Sequence, residues 1–494
     1  MGVRLLNTPS REVDPHTVPT RSRFAFGIGA SAETMSLYSL AVLGMLFYNQ
    51  VHGLDVLLAG LVPTIALFVD AISDPLIGSL SDRFRGKRWG RRHPFMFVAP
   101  LPIAISFFCV FSPPESLEGG ELFAWFLGWS ISLRTFMTVY HVPHLALGGE
   151  LSRAYTERSK IMSYNNFFQW VGGAGIFKIN TLVFFATAGV AGNGLLNGES
   201  YPVFAIAIAT AILIVLLASA WFTRDRIALL PKTPEDLPRF SFKNFLKDLV
   251  GAFSNRNYLM LMIAYFSLSM MLGVRTAFTS YMNIFYWELP AQDIGTLIFA
   301  GSFVGYLTGF FFSARLHHAF DKRATIVATA VGLSIFPAMP VILRIFESFP
   351  ENGSNLLLPS IVAFGIFSSA CGSILNISVM SALADIADEN ELRVGHRQEG
   401  VLYAARTFFA KLDNSIGHGI ASIVLWLIAF PDNATPGEVD ESTIWWLGMI
   451  DSPLAIIPGL IAACFYWQYR INRKTYDTTQ EQLAEKHASE AGAR

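Results

Sequence analysis

This chain has little cysteine, little charge and none of the usual catalytic spacings. Its three cysteines, Cys109, Cys371 and Cys464, are scattered through apolar segments, with no even-numbered framework and no metal-ligand spacing, so neither a disulfide scaffold nor a zinc site is supported. No H-x-x-x-H, G-x-S-x-G or Cys cluster occurs, which removes the common constellations of an integral-membrane hydrolase or metalloenzyme. The amino-terminal stretch is polar and basic to about Arg23 and has no cleavable-signal pattern. Charged residues are only 15% of the 494, and the net charge of -1 gives no reason to expect nucleic acid as a partner.

What is abundant is apolar: 52% hydrophobic and 14% aromatic residues, far more than a soluble chain of this length needs. Taking about 20 apolar residues as one crossing, the sequence predicts twelve membrane spans, near 24-49, 54-80, 94-113, 121-147, 161-188, 201-222, 258-286, 293-315, 324-346, 357-384, 401-430 and 444-468. Of 36 Lys and Arg, 30 fall on the side of the N-terminus, five lie within spans (Arg134, Lys178, Arg275, Arg406 and Lys411), and Arg344 alone falls in an outer loop. That asymmetry predicts a multi-pass protein of the cytoplasmic (inner) membrane with both termini cytoplasmic. The expected organisation is an N-terminal segment at 1-23, a six-helix bundle at 24-222, a cytoplasmic linker at 223-257, a second six-helix bundle at 258-468 and a tail at 469-494. The linker contains an amphipathic piece, Phe242 to Phe253. Two such halves suggest an internal repeat, but its sequence trace is thin: S-L-S-D-R-F-R-G-K-R after the second span against S-A-R-L-H-H-A-F-D-K-R after the eighth.

The stretch from Asp70 to Pro94, D-A-I-S-D-P-L-I-G-S-L-S-D-R-F-R-G-K-R-W-G-R-R-H-P, concentrates the chemistry. Asp70 and Asp74 share one helix face, and a charge at membrane depth costs at least a few kcal/mol, so an idle pair is not expected. They fit a monovalent-cation or proton site, or an ion pair with one of the five basic residues in the spans. Asp74-Pro75 also reads as a helix-shaping step. In the fourth span, Thr138, His141 and Leu145 line one stripe. A histidine there fits a proton acceptor or a hydroxyl-binding group, and equally a satisfied interhelical contact. Lys411, deep in the eleventh span, calls for a carboxylate, with Asp70 and Asp74 as candidates, whereas Arg406 and Asp413 share another face. Glu33 is a further acid in the first span. Asn165, Asn166, Gln169, Lys178 and Asn180 read as a polar stripe on the fifth, either reading sugar hydroxyls or holding helices together.

D-A-I-S-D-P-L-I-G with R-W-G-R-R-H-P, the V-P of the fourth span and the lysine of the eleventh together resemble the glycoside-pentoside-hexuronide:cation symporters, the melibiose-permease group of the major facilitator superfamily. The resemblance is strongest over 70-94, 138-168 and 385-417. It implies an all-α major-facilitator fold of two six-helix bundles, with Asp70 and Asp74 as cation-site carboxylates, Thr138 as a neighbouring oxygen ligand, Lys411 close to that site and Thr407 at a matching polar position. Where the melibiose-type proteins carry a fourth-span Asp, a first-span Asp, a fifth-span Arg and a fourth-span Trp, this chain has His141, Thr34, Asn166 and Leu145. Asp82 and Arg83, in the basic loop, are the expected gating pair.

The function expected is therefore cation-coupled symport of a sugar, glycoside or uronide by alternating access. The expected cation site is Asp70, Asp74, Thr138 and His141, and the expected substrate site is Glu33, Thr34, His141, Leu145, Asn166, Gln169, Thr407 and Lys411. The alternatives are transport of an amphipathic lipid or drug-like solute, and a membrane sugar sensor that does not transport. No cofactor is expected, and no metal beyond a possible Na+ at Asp70 and Asp74. The coupling ion is H+ or Na+, with H+ favoured because a protonated His141 would repel a metal cation and titrates between pH 5 and 8. A monomer in the bilayer is the expected state.

Overall fold

The computed structural model describes residues 18–86, 89–152, 155–186, 193–230, 250–251, 253–394, 399–471 and, apart from 477 and 484, 475–485. Most of the 1-23 segment, the centre of the 223-257 linker with most of its amphipathic piece, and the end of the 469-494 tail lie outside these residues.

The described chain is helical, and its helices group into twelve successive segments. The first six are α1 (Thr20–Leu46), α2 (Val56–Arg83), α3 (His93–Val98 and Pro100–Val110), α4 (Gly119–Glu150), α5 (Tyr155–Trp170 and Ile176–Val183) and α6 (Ser200–Thr223). The second six are α7 (Arg256–Tyr281), α8 (Ala291–Ala319), α9 (Lys322–Ile335 and Met339–Ile345), α10 (Leu357–Val394), α11 (Glu399–Leu427) and α12 (Glu441–Met449 and Ile456–Tyr466). Among the described residues nine are long and apolar enough to cross a membrane, and ten if the bent pair of α9 counts as one crossing. The other two, α5 and α11, are the polar helices that carry the candidate side chains.

Several expected limits need correction. α10 runs on to Val394 and α5 begins at Tyr155, because their inner turns are polar and escape a hydropathy reading. α9 bends by 48° between Ile335 and Met339, where Pro337 and Pro340 withdraw backbone donors. Pro75, by contrast, breaks nothing: α2 continues through Pro63 and Pro75. Its start is fixed by Asp55, whose carboxylate accepts the backbone N–H of Leu57 and Leu58.

The repeat that the sequence barely shows is plain in the packing. α1 packs on α5 and α6, α2 on α4, and α3 on α4 and α6; in the same order α7 packs on α11 and α12, α8 on α10, and α9 on α10 and α12. The backbone repeats too. α1 ends in a π turn, Phe47–Val51, and α7 in another, Met282–Tyr286. After each, a leucine N–H reaches back, Leu54 to Tyr48 O and Leu289 to Asn283 O, both at 2.9 Å. The residue before each leucine is left-handed, Gly53 at φ 67° and Glu288 at φ 50°. Only the first of these is a glycine, so the repeat is one of geometry rather than of residue type.

Helices in lipid gain little from burying apolar surface against each other and rely on close approach at small residues. Gly172, in the π turn Val171–Gly175 of α5, shows how close: a Cβ there would lie 2.1 Å from Ser31 O and 2.5 Å from Thr34 Oγ1 of α1. Gly172→Ala is therefore expected to force α1 and α5 apart and cost about 1–3 kcal/mol. Thermal unfolding in detergent checks this: an unchanged midpoint would show that the contact is not tight.

Candidate functional site

Inner denotes here the end that carries Arg83, Arg91 and Arg92. The halves meet along three helix pairs, α2 with α11, α5 with α8 and α1 with α7. At the α2–α11 seam small residues come first: a Cβ on Gly60 would strike Ser422, and Gly419 lies against Thr64. One turn further in, Thr64 Oγ1 donates to Ser415 O at 3.1 Å and Ser415 Oγ donates to Thr64 O at 2.5 Å. Both hydroxyls are satisfied across the interface without a charge.

The next turns of the same seam carry charge. Asp70 is buried, and Lys411 of the other half places Nζ 2.8 Å from Asp70 Oδ2 and 2.5 Å from Asp74 Oδ2. From α4, Thr138 Oγ1 donates to Asp70 Oδ1 at 2.6 Å and lies 3.0 Å from Asp74 Oδ1, while Arg134 Nη1 stands 3.6 Å from Asp70 Oδ2. Arg134 and Thr138 are one turn apart on the same face of α4, and Asp70 and Asp74 are one turn apart on α2, so straight helices suffice to bring all four together. Lys411 thus has the carboxylate partners expected of it. A turn beyond Thr138 on α4, His141 Nδ1 lies 2.7 Å from Glu33 Oε2 of α1. The neighbouring His144 is a structural contact, with Nε2 bonded to Phe26 O at 2.9 Å.

These groups form one electrostatic cluster with unequal sides. Glu33, Asp70 and Asp74 oppose the permanent cations Arg134 and Lys411, which leaves one negative charge that a proton on His141 or one additional bound cation cancels.

The rest of the expected set disperses. Thr34 is turned to the α1–α5 contact, its hydroxyl donating to Gln169 O at 2.9 Å. Asn166, Leu145 and Thr407 are exposed, and Thr407 stands one turn inward of Lys411 on the same face of α11. The polar stripe of α5 splits in two, because the π turn Val171–Gly175 re-aims the residues beyond it. Lys178 Nζ donates to Gln292 O at 2.8 Å and to Thr296 Oγ1 at 2.6 Å of α8, while Asn165 and Gln169 stay with the first half. Asp82 pairs with Arg92 at 2.5 Å in a network with Arg91, Glu150 and Ser81, and Arg83 closes α2 beside it. The side chain of Asp413 lies outside the described residues.

The outer end is closed by contacts the sequence did not announce. Tyr281 Oη donates to Asn49 Oδ1 at 2.9 Å, Asn49 Nδ2 donates to Asp432 Oδ1 at 2.5 Å, Gln50 Nε2 donates to Pro431 O at 3.0 Å, and the N–H of Ala434 donates back to Gln50 Oε1 at 2.8 Å. Burial pushes the Asp432 carboxyl up, while the hydrogen bond from Asn49 works the other way. Behind them Ser280 Oγ donates to Val42 O at 2.7 Å. Along α5 and α8 the rings of Trp170 and Tyr306 lie 4.2 Å apart, and further in Asn166, Phe167, Phe310 and Phe311 are exposed. Among the described residues, the contacts that join the halves lie at the outer end and along the α2–α11 seam, while the inner turns of α5 and α8 are exposed.

Asn49→Ala removes an acceptor for Tyr281 and a donor to Asp432, and leaving buried polar groups unpaired costs about 1–3 kcal/mol. Labelling of a Ser280→Cys reporter by a membrane-impermeant maleimide from outside is expected to rise roughly tenfold. Equal labelling with and without Asn49→Ala would show that this network does not hold the outer end shut.

Comparison with known proteins adds three findings. A family model described as MFS/sugar transport protein matches residues 25–473. The chain is 22% identical to the inner membrane symporter YicJ of Escherichia coli, over 94% of this chain and 93% of that one, and 23% identical to the sodium-dependent lysophosphatidylcholine symporter 1-A of Danio rerio, over 97% and 92%. Among solved structures, a bacterial homologue of the human lysosomal transporter Spinster, in an inward-facing and unoccupied conformation, superposes with a TM-score of 0.64 at 12% identity, covering 94% of this chain and 99% of that one.

Proposed function

Since this chain belongs to the MFS/sugar transport protein family, we propose that it is a proton-coupled symporter of a sugar, glycoside or uronide, working by alternating access between its two halves. It is a secondary transporter and not an enzyme. The observation that carries the coupling is Lys411: the ammonium of one half lies between the two carboxylates of the other, where a coupling cation would have to compete with it. A proton at His141 and Glu33 neutralises the cluster, and the charge change is felt at the seam on which the halves pivot. Na+ is the second candidate, with Asp70, Asp74 and Thr138 supplying oxygens once Lys411 withdraws.

The substrate then enters the cleft between the halves, where Glu33, His141, Gln169, Asn166, Thr407 and Lys411 are placed to meet it, with Leu145 at its edge. Thr34 acts through Gln169, whose position it holds. Asp82 and Arg83 sit at the inner rim. We place the protein in the inner membrane as a monomer, with the 24-222 and 258-468 bundles as its moving parts, the 223-257 linker between them and both termini cytoplasmic. The charged lining favours a polar solute over the lipid carried by the Danio rerio relative. Counterflow in proteoliposomes loaded with a sugar panel tests the reading: exchange of labelled sugar supports a carrier, and saturable binding without exchange would make the protein a sensor.

A further inference from the structure

Arg406 stands apart from the other basic residues of the spans. Arg134 and Lys411 meet carboxylates, Lys178 meets oxygens of α8, and Arg275 has Asp451 of α12 as its electrostatic partner. No carboxylate lies within ion-pair distance of Arg406 among the described residues. Its Nη2 donates to Asn376 Oδ1 of α10 at 3.0 Å, its guanidinium carbon sits 4.7 Å from the centroid of the Tyr265 ring of α7, and its Nε is buried with no acceptor.

A guanidinium left in lipid would cost several kcal/mol, so the surroundings decide what it faces. Asn376 is exposed although it lies midway along α10, Thr407 beside Arg406 is exposed, and Arg406 itself is half-buried. Polar groups exposed on two helices of one half, with Thr407 on the face of α11 that carries Lys411 to the seam, face the cleft. The ring behind and the amide at one corner hold the guanidinium plane still, and its remaining Nη N–H groups suit a flat or tetrahedral oxyanion.

We infer that Arg406, steadied by Tyr265 and Asn376, binds an acidic group of the transported solute, which makes the substrate a sugar bearing a carboxylate or sulfonate rather than a neutral glycoside. This rests on the sugar-transport reading of the same cleft. It gives the cleft two ends: Glu33 and His141 on the first half for hydroxyl groups, Arg406 on the second for the anion.

The test is calorimetric titration of the full-length protein in detergent with methyl glucuronide and methyl galacturonide, their neutral glucoside and galactoside counterparts, a 6-sulfonated glucoside, and lysophosphatidylglycerol. At least one acidic sugar is expected to bind about tenfold or more tighter than its neutral counterpart. Arg406→Gln should bring that ratio to about one, Arg406→Lys should keep part of it because the charge survives without the planar fork, and Asn376→Ala, which leaves the charge in place, should reduce it. Thermal unfolding of each variant identifies any that fail to fold, and the milder Asn376→Ala then decides. Neutral sugars binding as well as acidic ones, or a ratio that Arg406→Gln leaves unchanged, would overturn the inference while leaving sugar transport standing. Binding of lysophosphatidylglycerol alone, lost in Arg406→Gln, would assign the arginine to a lipid headgroup and overturn both readings.

Discussion

Asp70→Asn is expected to abolish concentrative uptake and to lower the stability of the protein in the same stroke. Asp70 is buried and meets Thr138, Lys411 and Arg134 together. Without its charge the two cations share only Asp74, and an uncompensated buried charge costs about 3–5 kcal/mol. Asp74→Asn should also end accumulation but destabilise less, because Asp70 remains to hold both cations. Uptake into energised vesicles, with membrane levels measured in parallel, checks both variants. Accumulation at the wild-type level in the two of them would remove the carboxylate pair from the coupling step.

Lys411→Gln carries the next largest expected effect, and a second change should partly reverse it. The lysine spans the seam between the halves, so removing it leaves Asp70 and Asp74 facing each other without a counter-ion from α11. Stability is expected to fall by several kcal/mol. Lys411→Gln combined with Asp74→Asn removes one charge of each sign, and should recover folded protein while accumulation stays lost. The reason is that removing both members of a buried pair is less costly than orphaning one. A double variant as unstable as the sum of the single ones would mean that the two residues do not interact.

How much of this was legible beforehand depended on how straight the helices are. Asp70 and Asp74 lie on regular α-helix, so their spacing alone put them on one face, and the need of Lys411 for a carboxylate followed from burial, whereas Thr138 beside them came from the family resemblance and Arg134 stood only among the five basic residues of the spans. The stripe on α5 was misread as a unit because the π turn at Val171–Gly175 lies between Gln169 and Lys178. Arg406, Asn376 and Tyr265 belong to three helices whose approach no single-helix pattern encodes. Asn49 and Gln50 did leave a trace, two adjacent amides closing an apolar run, but their partners Pro431, Asp432 and Ala434 are far along the chain. Glu33 and His141 were both candidates, and what the sequence lacked was the crossing of α1 and α4 that makes them a pair. The internal repeat lies in packing order and in two π turns, where residue identities have diverged while the backbone has not.

Proton coupling through His141 and the Asp70–Asp74–Lys411 cluster is tested most directly by uptake into Na+-free proteoliposomes under an imposed inward proton gradient, with an acidic sugar as the labelled solute. Accumulation above the equilibrium level is expected, collapsing when a protonophore is added, and His141→Asp should weaken that response while increasing stimulation by Na+. No accumulation under the proton gradient, together with accumulation that requires a Na+ gradient in the wild type, would contradict proton coupling and hand the carboxylate pair to Na+.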